Sequence, residues 1–166
     1  MAVSRLHWLR RSQSRLKSLA DPVCRREIEG RLARLTPTDR AQWGKMSVHQ
    51  MICHLGEAYR CALGQKQTSP APFFVPPPLM RFIALRVPLK WPQGFPSPRE
   101  IAQDRDGTPP VEFTQDHAEL LAAFRDFCAR PLQPCPMHPY FGRMSPADWN
   151  RWGYLHADHH LRQFAR

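Results

Sequence analysis

The stretch Ser145–Phe164, SPADWNRWGYLHADHHLRQF, decides how this chain folds. Ser145 and Pro146, with Asp148 three residues after the serine, are the start signal of a helix: a capping hydroxyl, a proline tolerated in the first turn, and an acid near the positive end of the helix dipole. No later proline interrupts it. With each residue turned by about 100°, His156, His160 and Gln163 lie within about 40° of the direction of Trp149, on a stripe that also holds Gly153. Trp152 and Phe164 flank this stripe, whereas Arg151, Asp158 and Arg162 point to the opposite face. Two histidines therefore face the core. Bare imidazoles buried one turn apart are costly unless hydrogen-bonded or coordinated, and HxxxH on one helical face lets both rings reach one metal ion. On this pair alone, a metal site and a pair of hydrogen-bonded core histidines are both open.

Working outward from this helix, three more are legible. Asp21 and Pro22 read as the cap and first residue of one, with Cys24, Ile28, Leu32 and Leu35 on one face before Pro37 stops it. Ser47 and Gln50 form a capping box for another, whose Val48, Met51, Ile52, Leu55, Ala58, Tyr59 and Ala62 follow the helical repeat until Gly64. A third runs from about Thr114 to Ala129. No alternating strand pattern and no internal repeat is visible. Between the second and third lies a proline-rich crossover, with 11 of the chain's 18 prolines between Pro70 and Pro110. Its Phe73, Phe74, Leu79, Phe82, Ile83, Leu85 and Trp91 are too many large apolar groups for a disordered linker, so it is expected to be ordered and to cover part of the core. Short helical turns are expected at Leu79–Val87 and after Ser97, where Pro98 and Glu100 suit a capping box. The expected fold is all-α, a four-helix bundle with one long proline-rich crossover between its second and third helices.

The 166 residues suffice for one domain. Residues 1–20 read as a basic extension, with no acid before Asp21, and 21–166 as the helical domain. The extension lacks the apolar stretch and cleavage site of a secretory signal; an organelle transit peptide is its other reading. No run approaches the roughly 18 apolar residues of a membrane helix, so no membrane partner is expected. Cys24, Cys53, Cys61, Cys128 and Cys135 are odd in number and lack CxxC spacing, which fits free thiols in a reducing cytoplasm.

The formal charge of +10 raises nucleic acid as a partner. Arg5, Arg10, Arg11, Arg15 and Lys17 form the densest basic run, and Trp8 is placed to stack on a base. Elsewhere the arginines are scattered, and no helix-turn-helix, zinc-finger or RNA-recognition signature is present, which disfavours nucleic acid.

The second helix supplies a third imidazole. His54 borders its apolar face and can reach the interior at the edge, whereas His49 lies about 130° from the centre of that face and is expected to meet solvent. His54, His156 and His160 thus make a facial three-histidine set with open positions. His159, on the flank of the last helix, is the rival ligand. Gln163, on the histidine face, is expected to hydrogen-bond a ligand from behind. Cys61, two turns after His54 on the same side of the helix, is a candidate fourth ligand that its distance disfavours.

Two segments, WGKMSVHQMICHLGEA (Trp43–Ala58) and HPYFGRMSPADWNRWGYLHADHHLRQF (His138–Phe164), together with LKWPQGFPSPREI in the crossover, resemble the DinB/YfiT-like superfamily of metalloenzymes. Within it they are similar to a bacterial subfamily of unknown function marked by WGKM, HPxFG and HxDHHLxQF. The resemblance covers nearly everything after Asp21. It implies a four-helix bundle in which His54, His156 and His160 bind a divalent metal, zinc or nickel. It also implies a link to S-transferases and isomerases that use low-molecular-weight thiols, although the subfamily carries no established reaction.

Such an ion would make the chain a metal-dependent enzyme for a small substrate, with S-transfer from a low-molecular-weight thiol as the first reading and hydrolysis as the second. Glu57 and His138 are the acid/base candidates. For Glu57, whose direction is away from the apolar face, a solvated surface charge is the favoured expectation; His138, before the last helix, is open between packing and lining the site. The competing class is a non-catalytic protein, either metal-stabilised and self-associating as a homodimer, or binding nucleic acid through its basic surface.

Overall fold

The computed structural model describes residues 16–71, 74–130 and 136–166. The expectations for Arg5, Trp8, Arg10, Arg11, Arg15, Phe73 and Cys135 fall outside the described residues. Five α-helices follow in order: α1 (Pro22–Leu32), α2 (Val48–Ala62), α3 (Pro77–Arg86), α4 (Phe113–Ala129) and α5 (Pro146–Gln163). A 3-10 turn spans Arg99–Ile101, and two short strands, β1 (Met137–His138) and β2 (Gly142–Arg143), form an antiparallel pair. The chain is thus mainly helical.

The helix starts are set by local chemistry. Asp21 accepts from the Val23 amide at 2.8 Å, and both Ser47–Gln50 and Ser145–Asp148 close reciprocal capping boxes. Each such cap is worth about 1 kcal/mol. Among the described residues, Cys24, Cys53, Cys61 and Cys128 are free thiols. No helix among them is long and apolar enough to cross a membrane.

The core sits where α1, α2, α4 and α5 meet. Helix α2 packs along α4 and also touches α5, while α1 packs on both α4 and α5. Tyr59, Phe124, Phe127, Leu55 and Leu161 are fully buried there, and each contributes roughly 1.5–3 kcal/mol through the area it removes from water. Gly153 lets α5 approach: a Cβ at that position would lie 2.8 Å from the Phe127 ring, and the Tyr59 hydroxyl donates to the Gly153 carbonyl at 3.2 Å.

Four expectations need correction. Residues 16–20, assigned to the basic extension, dock on α5: Leu19 is fully buried with its amide on the Asn150 carbonyl, and the Lys17 carbonyl accepts from Arg151. Arg151, expected on the outer face, is buried by this strap and also donates to the Leu85 carbonyl. The short helical turn expected after Ser97 forms as a 3-10 turn, but the Glu100 carboxylate accepts from the Ser69 amide at 2.8 Å instead of closing a capping box. Finally, the crossover covers part of the core as expected, through Leu85 and Ile101 with Met80, Ala84 and Trp91 packed against it, but several of its large apolar groups take no part. Leu85 alone of those in α3 is buried, whereas Phe74, Leu79, Phe82 and Ile83 are exposed.

The crossover is tied to the β1–β2 turn by Ala71 on the Pro139 carbonyl and the Tyr140 hydroxyl on the Pro96 carbonyl, and is folded on itself by Trp91 on the Ala84 carbonyl of α3. HPYFG forms the turn between β1 and β2, with Gly142 at φ 65°. The consequence is a wall of crossover residues that stands over α2 and α5 and leaves a space beneath it.

Candidate metal centre

Helix α2 presents His54, and α5 presents His156 and His160 one turn apart. One ring nitrogen from each of these three lies within 4.8 Å of one from each of the others. All three are almost entirely shielded from solvent. Their ring centroids are 4.9–5.3 Å apart.

The surroundings fix where the protons sit. Nδ1 of His54 is 2.9 Å from the Ile101 carbonyl, which only accepts, so Nδ1–H donates and Nε2 carries a bare lone pair. Gln163 Nε2 donates to the Trp43 carbonyl at 2.9 Å, which turns its Oε1 toward His160 Nδ1 at 3.0 Å; that nitrogen therefore donates as well. The Nε2 atoms of His54 and His156 stand 3.3 Å apart, and Nδ1 of His156 is buried with no hydrogen-bond partner.

A proton on His156 Nε2 would donate to the His54 Nε2 lone pair and leave the Nδ1 lone pair unpartnered; a proton on Nδ1 would leave two Nε2 lone pairs aimed at one point, where a cation can take both. The separation equals the roughly 3.3–3.4 Å edge of a tetrahedron with metal–nitrogen bonds of about 2.0–2.1 Å. Burial, more than any neighbouring charge, holds all three imidazoles below their ordinary pKa and therefore neutral, the form that ligates. The residues thus fit a divalent cation.

Two contacts position the rings, one from the distant Ile101 carbonyl and one from Gln163, itself held by the distant Trp43 carbonyl. The Ile101 carbonyl belongs to the crossover, and no sequence signal marked it. Gln163 was marked, and the WGKM segment explains how it is held: Gly44 adopts φ 78°, and a Cβ there would come within 2.9 Å of the Gln163 side-chain nitrogen. Such contacts orient ligating histidines and raise their basicity.

Glu57 is the largest correction at the site. It is 1% exposed, not solvated. Its carboxylate pairs with Lys66 and accepts from the Thr108 amide (2.9 Å), the Thr108 hydroxyl (2.7 Å) and Gln103 (3.2 Å). It does not line the cavity described below. The Gln103–Thr108 loop folds over that face of α2, so the face away from the core is still buried. Glu57 is an anchor for the end of the crossover.

His138 both packs and lines the cavity. Its ring stacks on Phe141 at 4.3 Å, and its Nδ1 accepts from the Tyr140 and Phe141 amides at 3.2 Å, which leaves the proton on Nε2. Burial pushes its pKa from 6.5 down to about 3. The folded ring stays neutral while the unfolded chain's imidazole protonates near 6.5, so its stabilising contribution is complete above pH 6.5 and is lost as pH falls toward 3. In chelator-treated protein, lowering pH from 7.5 to 5 is expected to cost about 2 kcal/mol through this residue alone. Urea unfolding at both pH values should show that His138→Gln abolishes this part of the loss; a variant with the full wild-type pH dependence would refute the assignment.

His49 was expected in solvent, but it is half-buried and lies 2.7 Å from Asp116. With Cys53 these residues make a second close group of ligand-type side chains. The Asp116 oxygen also accepts from the Val111 amide, and burial, with Asp116 beside it, pushes the Cys53 thiol up to about 12. The group is a satisfied link between α2 and α4. His159 is buried, lines the cavity with His54 and His156, and has an unpartnered Nδ1. Cys61 is not part of the histidine group.

A helical domain with a buried three-histidine group is the class that fold and site define. The chain belongs to the family described as protein of unknown function (DUF1569), whose model matches residues 21–166. No curated protein and no solved structure matches it.

Proposed function

We propose that this protein is a metal-dependent enzyme of the DinB-like type, a four-helix bundle whose His54, His156 and His160 hold a divalent ion, zinc or nickel. The observation that carries the reading is the convergence of one ring nitrogen each from His54, His156 and His160, with the His54 and His156 Nε2 atoms 3.3 Å apart. Three neutral imidazoles leave such an ion its full charge, which supplies a nucleophile at neutral pH by acidifying a thiol or water.

The chain's own residues do the rest. Ile101 and Gln163 fix the His54 and His160 rings. Trp91 and Trp152 lie beside His156 and keep bulk water from it. S-transfer from a low-molecular-weight thiol is the first reaction proposed and hydrolysis the second. His138, neutral and with its proton on Nε2, borders the cavity as a hydrogen-bond donor; Glu57, which does not line the cavity, serves as an anchor for the crossover.

Metal analysis of purified protein tests the proposal. Close to one zinc or nickel per chain is expected. Protein that carries neither, and takes up neither from added salt, would end it.

A further inference from the structure

Above the histidines lies a cavity of about 390 Å³, within the roughly 300–1,000 Å³ of small-molecule sites. His54, His156 and His159 form part of its lining, and the crossover and the β1–β2 turn wall it. The polar tips of two wall aromatics are turned into the protein: Trp91 donates its indole N–H to the Ala84 carbonyl at 3.0 Å, and Tyr140 donates its hydroxyl to the Pro96 carbonyl at 2.9 Å. These residues therefore offer a ligand mainly their rings.

Ile83, Leu89 and Phe95 line the same cavity yet remain 42%, 67% and 39% exposed, which gives it an apolar mouth. Among the described residues of the lining Lys90 is the one that is formally charged, and none of them carries a carboxylate to receive a cation. Ile83, exposed on α3 and unused by the core, thus has a place.

The geometry points to a compound with a ring-sized apolar body and a single negative charge as the substrate class of this site. The inference rests on the metal-enzyme reading for what happens at the histidines, but the selectivity belongs to the cavity. An apolar body displaces water from the Trp91 and Phe141 faces, where water has few partners. One negative charge meets Lys90 and the positive floor that a divalent ion creates. A multiply charged or zwitterionic molecule would lose hydration along this wall without regaining hydrogen bonds.

Tryptophan fluorescence tests this on the full chain, because Trp91 and Trp152 line the cavity. With zinc-loaded protein, 4-phenylbutyrate is expected to bind at least tenfold more tightly than butyrate or 4-phenylbutylamine. Ala84→Phe, which fills the α3 side of the cavity, is expected to weaken phenylbutyrate at least tenfold while keeping the wild-type metal content. Equal binding of butyrate or the amine by wild type, or unchanged phenylbutyrate binding by folded Ala84→Phe, would overturn the inference; if the variant does not fold, the wild-type series decides. Repeating the titration without metal separates the two readings. A protein that takes up no metal but still prefers phenylbutyrate retains this cavity and loses the metal centre, and a metal-loaded protein without the preference does the reverse.

Discussion

His54→Ala and His160→Ala are each expected to bind added zinc or nickel on the order of a hundredfold more weakly than wild type, because a three-ligand site would be cut to two. The same loss should appear in stability. An ion present at about a hundred times its dissociation constant stabilises the folded state by about 2.7 kcal/mol, which for a chain of this length raises Tm by roughly 5–10 °C. Wild type should show that rise on metal addition and both variants should lose most of it. Gln163→Leu, which removes only the acceptor behind His160, should fall between them, with affinity down about tenfold. Equal metal content in wild type and both alanine variants would place any bound ion elsewhere.

Glu57→Ala is expected to destabilise the protein by about 3 kcal/mol with metal affinity unchanged, because it leaves Lys66, Gln103 and Thr108 without the carboxylate they surround. Thermal melting with and without chelator separates the two effects, and the expected fall in Tm is roughly 6–12 °C. A solvated surface glutamate would instead change stability by no more than about 0.5 kcal/mol. A near-neutral result would therefore return Glu57 to the surface that helix periodicity alone assigned to it.

The reason that assignment failed is general to this molecule. Helix periodicity marks which face is apolar, and for α5 that was enough: the stripe from Trp149 through His156 and His160 to Gln163 is buried. For α2 it was not. Every residue from Met51 to Tyr59 is buried, polar face included, because α4 and α5 cover one side and the crossover loop covers another. His49, Glu57 and Arg151 were misplaced for this one reason, since each is covered by a segment distant in sequence. Phe74, Leu79, Phe82 and Ile83 erred the other way: they are exposed, and of the four only Ile83 lines the cavity.

The sequence by itself determined the four long helices, their caps at Asp21, Ser47 and Ser145, and the three histidines that meet, because capping and a 3.6-residue repeat are properties of a few neighbouring side chains. Only the tertiary structure decided the proton positions on His54 and His160, the burial of Glu57 and the cavity above the histidines. Those depend on where the Ile101 carbonyl, the Gln103–Thr108 loop and Trp91 come to rest, 46 to 65 positions from the residues they serve. No local preference of the chain carries that information.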